Sequence, residues 1–189
     1  MVFMTSQLAP GVPHLTDGVV LLDALVPADV PEHLAGEDEA SVRWLTDGQR
    51  STAASTHAWI ERSLANWAGT GTGLQHPLAL RDAVTGNLAG MAEFNLDSAG
   101  CGLGDGEVNV SYQVYPAFRG RGFAGRAVSL LVEFLATIPG ARAAVLRVEA
   151  GNEASVRVAA KAGFIDNGWT ITPGGERMRI FHLVAGSDR

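Results

Sequence analysis

Along residues 107–115 the chain alternates. Val108, Val110, Tyr112 and Val114 fall on one face of an extended segment, and Glu107, Asn109, Ser111 and Gln113 fall on the other. The period then changes. Phe123, Ala127, Leu130, Leu131, Phe134, Leu135 and Ile138 recur at helical spacing along one stripe, until Pro139-Gly140 stops it. Residues 18–22 and 143–148 are apolar runs of the kind a buried strand needs, and 78–81 with 88–94 flank a turn-rich 82–87, a hairpin signal. A short helix opens at Pro27, and residues 52–68 carry Ile60, Leu64 and Trp67 at helical spacing. Asn152 leads into a last helix that Gly163 closes, and 164–172 and 178–184 read as strands. The predicted order is strand, two helices, three strands, helix, strand, helix, two strands. That is one mixed α/β domain over 18–189, with about seven strands and four helices, behind a loose lead-in at 1–17.

Composition narrows the function classes. With 47% hydrophobic residues in 189, the chain can bury a substantial core, and its 23 glycines show no three-residue period, which excludes collagen. Fourteen Lys and Arg against twenty Asp and Glu leave a charge of −6, against a role in wrapping nucleic acid, where phosphates call for a basic surface. The first basic residue is Arg43, and no apolar run approaches the roughly 18 residues of a membrane span, so the expectation is a cytoplasmic protein without membrane partners. Cys101 is the single cysteine and reads as an exposed loop thiol, while the five histidines lack ligand spacing, so no metal is expected.

The chemistry concentrates in Arg119-Gly120-Arg121-Gly122-Phe123-Ala124-Gly125-Arg126, between the alternating strand and the strong helix. At such a junction the first amides of the helix lack partners and the positive end of its dipole faces outward, so a pyrophosphate can dock on the backbone. The three arginines would add positive charge. A tight turn with solvated arginines is the plain alternative. Read literally, Gly120-x-Gly122-x-x-Gly125 also satisfies the dinucleotide fingerprint, but four residues separate it from its strand, and only one further parallel crossover follows. A phosphate-binding P-loop fails because Arg126-Ala127 stands where Lys-Ser/Thr is required.

Arg119, Gly122 and Ala124 resemble the Arg/Gln-x-x-Gly-x-Gly/Ala signature of the GCN5-related N-acetyltransferases (GNAT). Asn152-Glu153-Ala154-Ser155 with Lys161-Ala162-Gly163-Phe164 is similar to a second segment of the same family. Gly36-Glu37-Asp38, Arg43-Trp44-Leu45 and Trp59-Ile60 resemble the branch that includes ribosomal-protein N-terminal acetyltransferases. The resemblance implies acetyl-CoA as cosubstrate, without a metal, in a cleft splayed between two parallel strands. Gln113, Val114 and Tyr115 would hold pantetheine, with the Val114 N–H on the thioester carbonyl. Arg119, Gly120, Arg121, Gly122, Phe123, Ala124 and Gly125 would hold the pyrophosphate, and Asn152 the pantetheine arm. Dimers are frequent in the family.

Transfer to a primary amine, on a small molecule or a peptide N-terminus, needs a base, an oxyanion donor and a proton for the thiolate. Glu93 is the leading base and Glu107 the second, each with a solvated or salt-bridged carboxylate as its plain alternative. The family's usual acidic Tyr aligns with Ala159, so Ser155 takes that role or merely caps its helix. Asp23-Ala24 replaces the family's Arg-Pro pair. Trp44, Trp59 and Trp67 read as core before acceptor walls, with Trp44 kept as a substrate residue. A non-catalytic acyl-CoA-binding module and, behind it, a dinucleotide-dependent oxidoreductase stay as alternatives.

Overall fold

The structure is a computed structural model, and it describes residues 11–46, 48–172 and 174–184. Thr16 and its neighbours already belong to the sheet. Strand β1 (Leu15–Thr16) pairs with β2 (Val20–Asp23), and Val12 and Leu15 pack on the core. The part of the expected lead-in from Val12 onward thus packs with the domain, and residues 1–10 lie outside the described residues.

A turn of 3-10 helix leads into α1 (Val30–Gly36), followed by α2 (Glu39–Leu45) and α3 (Ala53–Trp67). Helix α2 is an element the hydrophobic pattern does not predict, and its start is local chemistry. Asp38 accepts the Ser41 N–H at 3.0 Å, an N-cap that turns an acidic loop into a helix. Strands β3 (Gln75–Asp82), β4 (Leu88–Asn95) and β5 (Glu107–Val114) come next, then α4 (Phe123–Leu135), β6 (Ala143–Glu149), α5 (Glu153–Lys161), β7 (Ile165–Ile171) and β8 (Arg177–Val184). The sheet has eight strands in the order β1-β2-β3-β4-β5-β6-β8-β7. Only β5 and β6 are parallel, joined through α4; every other pair is antiparallel. A dinucleotide fold needs a series of parallel strands at this point, and the sheet lacks it.

Period-two alternation assigns the two faces. Leu78 and Leu80 join the cluster formed with α4 and α5, whereas Ala79 between them joins a second cluster with Val30 and Ile60 of α1 and α3. In β4 the alternation breaks once. Leu80 pairs with Gly90 but Arg81 with Leu88, so Ala89 is the extra residue of a bulge. Leu88 and Met91 consequently share the α1/α3 face, three positions apart, while Ala92 and Phe94 face α4. Glu93 follows Met91 onto the α1/α3 side. The bulge sits where β4 and β5 approach closely: a Cβ on Gly90 would lie 2.0 Å from the Gln113 carbonyl oxygen.

Half-buried Arg81 forms a polar knot with two buried aspartates. It reaches Asp23 at 2.7 Å and Asp29 through two bonds of 2.8 and 2.9 Å. Asp23 stands where the resembling family carries an Arg-Pro pair, and here it anchors β2 to β3.

Candidate functional site

Strand β5 pairs with β6 only from Glu107 opposite Ala143 to Val110 opposite Leu146. Beyond that point the two strands part, while β5 stays paired with β4 as far as Val114 opposite Gly90. Backbone groups alternate sides along a strand. The Tyr115 N–H bonds the Ala89 carbonyl of β4 at 2.8 Å, so the Val114 N–H points to the other side, toward the parted edge. The Val114 carbonyl on that edge accepts from Arg119 Nε at 2.9 Å.

A cleft of about 1030 Å³ fills the gap. Gln113, Val114, Arg119, Gly120, Gly122, Phe123, Ala124 and Gly125 line it from β5 and the turn, and Asn152 and Ser155 line it from the start of α5. The turn is built for close approach. Gly120 and Gly122 have φ of 75° and 82°, a region in which side chains are strained. Gly122 caps α4 with no side chain bonded to the helix's first amides. Those amides face the cleft and fit an anion.

The three arginines do less there than their charge suggests. Arg119 grips Asp38 through two bonds of 2.6 and 2.9 Å, Arg121 reaches Asp82 at 2.8 Å, and Arg126 reaches Asp17 at 2.6 Å. Each positive charge is matched by an aspartate, so the turn offers its backbone more than its side chains. Arg121 does not line the cleft; its guanidinium lies against the rings of Phe118 and Phe123. The Arg119–Asp38 pair ties the turn to the cap of α2, which forms a cleft wall, and it holds the Asp38 carboxyl far below the usual carboxylate range.

A second cavity of about 420 Å³ lies on the α1/α3 side. Ser111, Tyr112 and Gln113 line both cavities, so the two meet on β5 where it leaves β6. Glu93 lines this second cavity, directly across from Ser111 in the ladder. Burial pushes its pKa up to about 7. A carboxyl with that value is divided between acid and base at neutral pH, as a general base requires.

Other predicted residues go elsewhere. Glu107 lies outside both cavities, at the far end of β5, paired with His182 at 2.7 Å and accepting the Gly104 N–H at 2.7 Å. Gln113 is six positions further along the strand, roughly 20 Å away. The Tyr115 side chain is buried away from the cleft, its hydroxyl 2.9 Å from His33 Nδ1. Trp44 lines the larger cleft and not the second cavity, Trp59 lines the second cavity, and Trp67 packs in the core against Phe94 and Phe134. Cys101 is buried, not exposed, and burial raises its pKa. Asn152 Oδ1 accepts the Ser155 N–H at 3.1 Å and caps α5, which leaves the Ser155 hydroxyl free of the capping role.

Three residues escape sequence reading. The Tyr112 hydroxyl is buried without a direct hydrogen bond; burial raises its pKa, and the nearby Ser155 hydroxyl acts against that rise. His33 is kept toward its neutral form by burial, against the pull of Glu37. Thr56 on α3 is buried with its hydroxyl unbonded. Each acquires its meaning from a partner or cavity remote in the chain. Among the described residues no helix is long and apolar enough to cross a membrane, and no group of three His, Cys, Asp or Glu side chains is placed to hold a metal ion.

Residues 20–165 match a family model described as an acetyltransferase (GNAT) domain. No curated protein matches the chain in sequence. Solved structures resemble it closely in shape. RimL, a ribosomal L7/L12 alpha-N-protein acetyltransferase in complex with coenzyme A, superposes with a TM-score of 0.73 at 16% identity, covering 94% of this chain and 99% of its own. The aminoglycoside acetyltransferase AAC(6')-Ib in complex with coenzyme A gives 0.70 at 20% identity over 87% and 94%. An acetyltransferase from Agrobacterium tumefaciens gives 0.69 at 21% over 94% and 98%. At these identities the likeness is one of fold.

Proposed function

The chain belongs to the GNAT acetyltransferase family and is an acyl-CoA-dependent N-acetyltransferase; from that premise we propose that it acetylates a primary amine by direct attack within a ternary complex. Bound acetyl-CoA supplies the activated acyl group. The edge of β5 left open beyond Val110 takes the pantetheine arm as an added strand would, with the Gln113 backbone turned to β4, and the Val114 N–H faces the thioester carbonyl, where it stabilises negative charge developing on oxygen. The unbonded amides at the start of α4 hold the diphosphate. The second cavity takes the amine. Glu93 accepts the ammonium proton, the nitrogen lone pair attacks the carbonyl carbon, and the carbon–sulfur bond breaks as the sulfur leaves. Ser155, free of the capping role, stands beside Tyr112 on the cofactor side and donates toward that sulfur, its proton replaced by the second one that the attacking nitrogen sheds as the amide forms.

The strongest support is the junction of the two cavities. A donor carbonyl at the parted edge and an acceptor amine beside Glu93 approach one another across Ser111, Tyr112 and Gln113, with no need for a covalent enzyme intermediate. Calorimetric titration with acetyl-CoA tests the donor half. Gly122→Asp places a carboxylate against the diphosphate site, and at least a tenfold loss of affinity is expected; unchanged affinity overturns the diphosphate assignment.

A further inference from the structure

We propose that the acceptor carries a single ammonium on an apolar body, with a hydroxyl or carbonyl on the same molecule that hydrogen-bonds Thr56. This rests on the acyl-transfer reading and names the substrate class of its amine site. The charges around the second cavity carry the first half. Two carboxylates line it, Glu93 and Glu37, and Arg62 sets a positive charge beside them. Glu37 is already engaged: it accepts the Ser51 N–H at 3.0 Å and the Ser51 hydroxyl at 2.8 Å. His33 adds no negative charge. A polycation needs a carboxylate for each ammonium buried with it, and the two carboxylates against Arg62 leave the cavity a formal charge of −1, which balances one ammonium. Trp59, Leu45, Pro77 and Met91 supply apolar wall for the remainder of the molecule.

Thr56 carries the second half. It is 3% exposed, lines the cavity, and its Oγ1 has no hydrogen-bond partner. A helical threonine ordinarily bonds the carbonyl four residues back. Here the Thr52 carbonyl already accepts the Thr56 N–H at 2.9 Å and the Ser55 hydroxyl at 3.1 Å. Buried polar groups in folded proteins are almost always bonded, so an orphan hydroxyl beside an open cavity points to a ligand atom. An amino alcohol supplies such an atom, and so does the first carbonyl of a peptide.

The test is steady-state acetylation by the full chain with acetyl-CoA, following released thiol and product mass. Phenylalaninol and the peptide Phe-Ala-Ala separate a small-molecule source from a peptide one, 2-phenylethylamine lacks the second polar group, and spermidine and kanamycin are polycations. We expect kcat/KM at least tenfold higher for phenylalaninol or the peptide than for either polycation, and higher than for 2-phenylethylamine. In Thr56→Val the advantage over 2-phenylethylamine should collapse toward one, with the KM for acetyl-CoA unchanged. A polycation as the best substrate overturns the single-charge assignment, and an advantage unaltered in Thr56→Val overturns the Thr56 contact. Acetyl-CoA binding without thiol release for any amine overturns the acyl-transfer reading itself, and the acceptor class with it.

Discussion

Replacing Glu93 by Gln should make the protein more stable and less active, and the stability gain should depend on pH. The unfolded carboxyl titrates near 4.5, whereas burial beside the second cavity moves the native value to about 7. Between those values the native state binds more protons than the unfolded state, so stability falls as pH rises. At roughly 1.4 kcal/mol per pKa unit, the full cost of ionising the buried carboxyl is about 3 kcal/mol above pH 7 and vanishes below pH 4.5. Gln is isosteric and does not titrate. Any hydrogen bond it loses or gains is a constant offset, so the slope of the difference with pH is the clean quantity. For a chain of this size about 3 kcal/mol corresponds to roughly 6–12 °C in Tm. Thermal unfolding of both proteins at half-unit steps from pH 4.5 to 8.5 should show the Tm of Glu93→Gln rising relative to wild type by that amount. The same substitution should lower kcat/KM by about 10²–10⁴-fold and remove the rise in rate through pH 7. A Tm difference independent of pH refutes the buried, proton-holding carboxyl. An unaltered pH–rate profile removes Glu93 from the chemistry.

Two further substitutions test what holds the site. Gly90→Ala would set a methyl 2.0 Å from the Gln113 carbonyl oxygen, so β5 must shift at the cofactor edge; acetyl-CoA affinity measured by calorimetry should fall at least tenfold, and an unchanged Kd would show that this close approach is dispensable. Arg81→Ala strips both partners of their cation, with Asp23 and Asp29 side chains only 9% and 7% exposed. Urea unfolding at pH 7.5 should show a loss of about 3–5 kcal/mol, shrinking as acid neutralises Asp23, whose pKa burial already raises, and a loss equal at pH 5 and pH 7.5 would contradict that cause.

The sequence by itself determined the periodic elements and the strand-to-helix corner. Alternation in β5 and the stripe of α4 depend on neighbours within a few residues, and the pair of glycines at 120 and 122 marks a backbone left open to a ligand because only glycine tolerates that conformation without strain. Those signals are local, so they can be read along the chain. Helix α2 is the exception on the fold side: its start rests on one side-chain bond at Asp38 that hydrophobic periodicity does not record. What tertiary structure alone decided is non-local. A one-residue bulge at Ala89 turns Glu93 toward the second cavity. Packing of β5 against β4 but not β6 opens the cleft after Val110. Ion pairs spanning 81 residues from Asp38 to Arg119 and 109 from Asp17 to Arg126 tie the turn to the start of α2 and to the β1–β2 connection. Glu107 and Glu93 look alike in the sequence as strand carboxylates, and the tertiary structure separates them: Glu93 lines the second cavity, where the solvent it loses raises its pKa, whereas Glu107 lies outside both cavities against His182, and each setting is made by segments far away in the chain.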